Sequence, residues 1–295
     1  MDNQKKIEQS IIKRYRGSIW RPFVQAVNEF EMIEKGDKIA VCISGGKDSN
    51  LLAKCMQELL RHGKFNFELV FLVMNPGYSK KTLEQITGNS KILGLNITMF
   101  ETQIFDAAFN AGGSPCYLCA RMRRGYLYKK ARELGCNKIA LGHHFDDVIE
   151  TILLSMLYGA EMKTMVPKLF SQNYLGMELI RPLYFVKEKD IINWCNYNNL
   201  NFIRCACKFT EKDENHDQQG KRAEMKRLIE TLRVTNPNVD INLLRSTQNV
   251  NTDTLLGYRG TAGERTFLQN YQLKRRRVNK AIKQGKTSLS DPDEN

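Results

Sequence analysis

The 295-residue chain reads as an α/β protein: a doubly wound parallel sheet of about five strands, with helical extensions at its N- and C-terminal ends. Three observations predict this. Short apolar runs alternate with stretches of helical periodicity from Lys38 onward. The first of those runs passes through a glycine turn straight into a helix. The alternation stops at a polar stretch near residue 210, beyond which the chain turns strongly basic.

Residues 7–27 form an amphipathic lead-in, with Ile11, Ile12, Tyr15 and Ile19 at helical spacing. Strands are predicted at 38–43, 67–73, 96–101, 138–141 and 179–181. Helices are predicted at 48–62, 80–93, 119–134, 147–158 and 187–199. Alternation of this kind argues for parallel strands covered on both faces. The seam is TEKDENHDQQG, residues 210–220, which offers no apolar anchor. The expected organisation is a lead-in over 1–30, a core domain over 31–210, a basic helical extension over 211–286 and a tail over 287–295.

Composition narrows the class. At 42% hydrophobic residues the chain is globular, neither collagen-like nor of low complexity. Its longest purely apolar run, Leu69 to Met74, is too short to cross a bilayer, and the first residues are polar. The expectation is a cytoplasmic protein with no membrane partner. Eight cysteines in a reducing compartment point to metal or redox chemistry rather than to disulfides. The net charge of +13 is concentrated: residues 221–286 hold 15 Lys and Arg against 5 Asp and Glu. Such an excess suits a polyanion, of which nucleic acid is the commonest, although a solvated helix can carry the same charge.

The strand at 38–43 runs into Ser44, Gly45, Gly46, Lys47, Asp48 and Ser49, and a helix follows. Two glycines allow close backbone approach to a ligand. The amides of the helix start, with the hydroxyls of Ser44 and Ser49, then face an anion. The spacing is not that of a Walker A loop, nor is it G-x-G-x-x-G. Ser-Gly-Gly-x-Asp-Ser resembles the PP-loop of the ATP pyrophosphatases. The strand at 138–141 ends in Gly142, His143, His144, Phe145, Asp146 and Asp147. Ligands of open α/β sheets gather beyond the carboxyl ends of strands, so this segment and the loop should border one crevice. Asp147 with Glu150 also fits a capping box.

Cys116 and Cys119 stand at the entry of a helix, with Arg121, Arg123 and Arg124 close behind. Helix amides and guanidiniums favour thiolates, as metal ligation or sulfur transfer requires. Cys205 and Cys207 supply further ligands. Four thiolates would close a structural zinc site, whereas three would leave a position open. Two residues apart on an extended segment, Cys205 and Cys207 face the same side, and parity does not choose between them. Cys42, Cys55, Cys136 and Cys195 read as packing residues.

Together SGGKDS, PCYLCARMRRGYLYKKARELG, KIALGHHFDD and IRPLYFVKEKDI resemble the tRNA 2-thiocytidine synthetase family of PP-loop tRNA thiolation enzymes, over roughly residues 20 to 210. The resemblance implies an adenine-nucleotide alpha-hydrolase-like fold, ATP with Mg²⁺, and a [4Fe-4S] cluster held by three cysteines. Cys116 and Cys119 match the family's pair. Cys207 is favoured as the third ligand on spacing, with Cys205 its competitor. The resemblance further implies tRNA as substrate, a persulfide or free sulfide as sulfur donor, and a homodimer as a common assembly. In the implied chemistry Ser44 to Ser49 hold ATP, Asp48 shares Mg²⁺, and a pyrimidine C2 oxygen attacks the α-phosphorus. Sulfur then displaces AMP. Gly142 and His143 belong to the nucleotide site. Asp147 manages a proton or orients the base, and Arg121 or Arg123 neutralises developing charge. The rival readings are a PP-loop RNA ligase or amidase with structural zinc, and a non-catalytic RNA-binding protein.

Overall fold

The computed structural model describes residues 3–63, 66–102, 104, 115–203, 220–261 and 263–286, without the side chains of 115–121. Cys205 and Cys207 therefore lie outside the described residues. The chain divides into two compact units, Met1–Ile241 and Asn242–Asn295.

The first unit is built on a six-stranded sheet. Its strands are β1 (Lys38–Ile43), β2 (Glu68–Asn75), β3 (Ile97–Glu101), β4 (Lys138–Ala140), β5 (Lys168–Phe170) and β6 (Glu178–Ile180). They lie in the order β3-β2-β1-β4-β6-β5. Every pairing is parallel except β5 with β6. The five parallel strands are those expected; β5 is an addition. Three residues at an edge, only partly buried, carry too little alternation to register as a strand.

β1 is central because nearly every residue of KIAVCI is buried, the pattern of a strand covered on both faces. Ala40 and Cys42 join Leu72, Ile139 and Leu179 under Tyr128 and Ala131 of α5 (Pro115–Glu133). The opposite face is covered by α3 (Lys47–His62), whose Leu51, Leu52, Cys55 and Met56 are buried. The remaining helices of this unit are α1 (Asn3–Gln9), α2 (Arg21–Glu29), α4 (Lys80–Leu93), α6 (Phe145–Gly159), α7 (Glu188–Tyr197) and α8 (Lys221–Thr235), and α9 (Val239–Ser246) begins within it.

The lead-in is not one regular helix. Between α1 and α2 the ladder widens into two π-helical stretches, Ser10–Arg14 and Arg16–Trp20, where Tyr15 N–H donates to the Ser10 carbonyl at 2.8 Å. Ser10 is drawn into a side-chain network: Trp194 Nε1 donates to its Oγ at 3.0 Å and Asn198 Nδ2 at 3.1 Å. Ile7, Ile11, Ile19 and Phe23 are buried, so the apolar stripe serves the core despite the irregular backbone.

The second unit holds an antiparallel hairpin, β7 (Gly257–Gly260) with β8 (Gly263–Thr266), and α10 (Phe267–Lys283). Thr266 and Gln269 close a capping box at the start of α10. No helix among the described residues is long and apolar enough to cross a membrane.

Candidate active site

A parallel strand delivers its following helix from its carboxyl end. Topology therefore sets the start of α3 after β1, of α5 after β3, of α6 after β4, and residue 181 after β6, along one edge of the sheet. Ser44 to Ser49, Cys116 and Cys119, Gly142 to Asp147, and Arg181 all stand there.

The phosphate loop is tied by its own serines. Ser44 N–H donates to Ser49 Oγ at 3.1 Å, Ser49 Oγ donates to the Gly46 carbonyl at 3.1 Å, and the two hydroxyl oxygens lie 3.2 Å apart. Gly45 adopts φ +89°, a backbone that favours glycine. Gly46 is the N-cap of α3 with no side chain capping it, which leaves helix-start amides for an anion. Ile203 N–H donates to the Gly45 carbonyl at 3.2 Å, which ties the segment after α7 to this loop. A cavity of about 440 Å³ opens beside it, lined by Gly46, Lys47, Asp48, Glu188, Cys195 and Ile203 among others. That volume falls in the range of small-ligand sites.

Gly142 explains how the second edge comes so close. A Cβ there would stand 2.9 Å from the Ser49 amide nitrogen and 3.0 Å from the Asp48 carbonyl carbon, both backbone atoms. Only glycine lets the end of β4 rest against the start of α3. The carboxylates then converge on a buried histidine: His144 Nε2 lies 3.8 Å from Asp48 Oδ1 and 3.6 Å from Asp147 Oδ2.

The capping box expected of Asp147 and Glu150 is instead formed by His144 and Asp147. His144 N–H donates to Asp147 Oδ2 at 3.0 Å, and Asp147 N–H donates to His144 Nδ1 at 3.4 Å. The helix begins two residues earlier than expected, at Phe145, which makes Asp147 the third helical residue. Asp147 is thereby both cap and site residue. Burial raises its carboxyl, but the charges of His144 and Arg222 prevail and hold it below the usual range. Burial pushes His143 down to about 4, so its imidazole is neutral near pH 7. Glu150, one turn further on, is pushed up by burial to about 7.

Four site partners, Glu188, Arg222, Lys226 and Arg233, were not among the residues expected from the sequence. Lys47 Nζ donates to Glu188 at 3.0 Å and to Asp48 Oδ2 at 3.2 Å, and Lys226 Nζ donates to the other oxygen of Glu188 at 2.6 Å. Arg222 pairs with Asp147 at 2.9 Å. Arg233 bridges Asp146 at 2.7 Å and Asp240 at 2.8 Å. Arg222, Lys226 and Arg233 belong to the stretch whose charge suggested RNA, yet within α8 they are partnered by carboxylates of the same unit. Glu188 lay in the IRPLYFVKEKDI motif, and a charge complementary to Lys47 was the available signal.

The donor Asp48 fits the Mg²⁺ that the resemblance implies. Asp48 Oδ1 is buried and accepts no hydrogen bond, although Lys47 Nζ lies 3.2 Å away; a hard oxygen so placed suits Mg²⁺. Cys116 and Cys119 stand one turn apart on the backbone of the first turn of α5. The four described thiols, Cys42, Cys55, Cys136 and Cys195, are buried, and burial pushes each above the normal thiol range, Cys42 and Cys195 to about 12. They are packing groups; the cysteines the resemblance implies as cluster ligands are Cys116, Cys119 and Cys207 or Cys205. Arg123 is half-buried on α5.

A family model of the PP-loop domain matches residues 19–230. The tRNA-cytidine(32) 2-sulfurtransferase of Geobacter metallireducens is 38% identical over 83% of this chain and 93% of its own length. That of Coxiella burnetii is 34% identical over 87% of this chain and 95% of its own. The chain belongs to the tRNA-cytidine(32) 2-sulfurtransferase family of PP-loop proteins. The family assignment agrees with the fold: the U34-tRNA thiolase NcsA from Methanococcus maripaludis, solved with its [4Fe-4S] cluster, superposes with a TM-score of 0.61 at 18% identity, covering 77% of this chain and 76% of its own. With the 2-sulfurtransferases the chain shares nearly their whole length, so the resemblance rests on far more than the phosphate loop.

Proposed function

We propose that this chain is an ATP-dependent tRNA sulfurtransferase that exchanges the C2 oxygen of a cytidine for sulfur. The observation that carries the reading is the meeting, through Gly142, of the phosphate loop and the His144–Asp147 segment, in a chain collinear with tRNA-cytidine(32) 2-sulfurtransferases.

The residues divide the work. The amides after Gly46, with Ser44 and Ser49, bind the pyrophosphate portion of ATP. Asp48 would hold Mg²⁺ on its unsatisfied oxygen, and Lys47, fixed by Glu188, supplies a second positive charge to the phosphates. The cytidine O2 attacks the α-phosphorus, the bond to the bridging oxygen breaks, and pyrophosphate leaves with that electron pair. Attack of sulfide at C2 then expels AMP, which carries the original oxygen away. Cys116, Cys119 and Cys207 or Cys205 would hold a [4Fe-4S] cluster, which when bound would offer a docking position for the incoming sulfur. Asp147, ionised and backed by Arg222, orients the base or takes up a proton, and Arg123 neutralises charge at the transferring phosphoryl. The target base enters as a splayed single-stranded nucleotide.

The direct test incubates anaerobically reconstituted protein with tRNA, ATP and a sulfide or persulfide donor, and analyses the nucleosides by mass spectrometry. The reading expects 2-thiocytidine that depends on ATP, with AMP and pyrophosphate released in equal amounts. Absence of thiolated nucleoside from a protein shown to carry iron and acid-labile sulfide would overturn it. Zinc instead of iron would favour the ligase or amidase.

A further inference from the structure

Arg181 follows β6 directly and stands at the carboxyl edge beside Gly142 and His143, yet the scheme above gives it no task. It is buried, with 9% of its surface exposed. Its backbone N–H donates to the Pro167 carbonyl at 2.9 Å, and Nη1 donates to the Val166 carbonyl. Its Nε is buried without a hydrogen-bond partner, and no carboxylate among the described residues forms an ion pair with it.

A buried guanidinium in that state is unusual. Two arginines of α8 are matched: exposed Arg222 by Asp147 and Glu150, and half-buried Arg233 by Asp146 and Asp240. Arg181 has the opposite surroundings. Burial, and then the positive charge of Arg124, press it down to about 10, while the attraction of Asp147 is weaker than that of the nearby Tyr184 and Tyr128 hydroxyls. Even so it is charged near neutral pH. An uncompensated buried charge is strongly destabilising, and it is tolerated where a ligand supplies the counter-charge. Arg181 Nε is not alone at this edge: His143 Nδ1 and Asp48 Oδ1 are also buried without a hydrogen-bond partner. His143 feels the charge of Arg181, which helps to keep its imidazole neutral.

We infer that Arg181 is a phosphate-receiving residue of this crevice, holding an oxyanion that arrives with the substrate. The planar fork of a guanidinium matches two oxygens of one phosphate, which a lysine cannot reproduce. The oxyanion has two sources here, a phosphate of ATP or the backbone phosphate beside the entering nucleotide. The inference rests on the reading of the crevice as a nucleotide and tRNA site.

The test uses the full-length protein and the variant Arg181→Met, of similar length without charge. ATP·Mg²⁺ affinity is measured without tRNA, and tRNA affinity without ATP, alongside a thermal melt. Loss of a charge-assisted pair predicts roughly a ten- to hundredfold weakening in one arm. Loss with ATP assigns the nucleotide phosphate; loss with tRNA assigns the RNA phosphate. The melt should be no lower than wild type, because an apolar side chain replaces an unpaired charge. Affinities within twofold of wild type in both arms overturn the inference. Should Arg181→Met fail to fold, Arg181→Lys takes its place, with a several-fold loss expected in one arm and unchanged affinities again refuting it. Wild-type protein that binds neither probe refutes the underlying reading instead, so the two failures are distinguishable.

Discussion

Gly142 has backbone on the side where a side chain would stand, at 2.9 Å from the Ser49 nitrogen. Backbone at a helix start cannot swing away as a side-chain tip can. Gly142→Ala should therefore part the two halves of the site, destabilise the fold by about 1–3 kcal/mol, and weaken ATP binding at least tenfold, as read by calorimetry and melting. Glu150 offers a test in pH. Burial raises its carboxyl from 4.5 to about 7 in the folded state. The folded protein thus holds this proton more tightly than the unfolded chain. Its favourable contribution is complete below pH 4.5 and is lost as pH rises through about 7. Glu150→Gln keeps the neutral form at every pH. The melting temperature of the variant relative to wild type should rise between pH 5 and pH 8, and a difference independent of pH would contradict the assignment. The sequence placed Gly142 in the nucleotide site and Glu150 in a cap, but the contact of Gly142 with the start of α3 and the burial of Glu150 on α6 are properties of the packed chain.

Helix α8 acts on the site through carboxylates. Lys226, Glu188, Lys47 and Asp48 form a continuous chain of ion pairs at 2.6, 3.0 and 3.2 Å. Glu188→Gln weakens both of its links, and ATP affinity should fall by about 1–2 kcal/mol, roughly five- to thirtyfold, with the fold preserved. On α5 the expectation is the reverse. Cys116→Ala should abolish thiolation and leave ATP binding nearly intact, because the phosphate loop closes on its own serines. Loss of ATP binding in that variant would contradict the separation of roles. At this scale most of the parallel sheet was legible, since buried β1 and its Gly-Gly turn are patterns of adjacent residues. The π-helical lead-in was not: it begins at Ser10, whose hydroxyl accepts a hydrogen bond from Trp194, far apart in sequence. The His144–Asp147 cap was misassigned for a simpler reason: a histidine side chain accepted the amide where the motif led to an expectation of Asp147.

For the molecule as a whole, net charge was an incomplete guide to the RNA-binding surface. The basic stretch falls in two units: Arg222, Lys226 and Arg233 are matched within Met1–Ile241, whereas Arg275, Arg276 and Arg277 of α10 are exposed in Asn242–Asn295. We propose that the α10 arginines hold the tRNA backbone. Replacing all three by alanine should weaken tRNA binding, reduce its salt dependence by about 0.7–0.9 in slope per lost phosphate contact, and leave ATP affinity unchanged. An unaltered slope would move the RNA surface elsewhere. The central claim is that ATP activates the very oxygen that sulfur replaces. It is tested most directly with tRNA carrying ¹⁸O at C2 of its cytidines, incubated with the reconstituted protein, ATP and a sulfide donor. The account predicts one ¹⁸O in AMP for each 2-thiocytidine formed. Thiolation that leaves AMP unlabelled would contradict it.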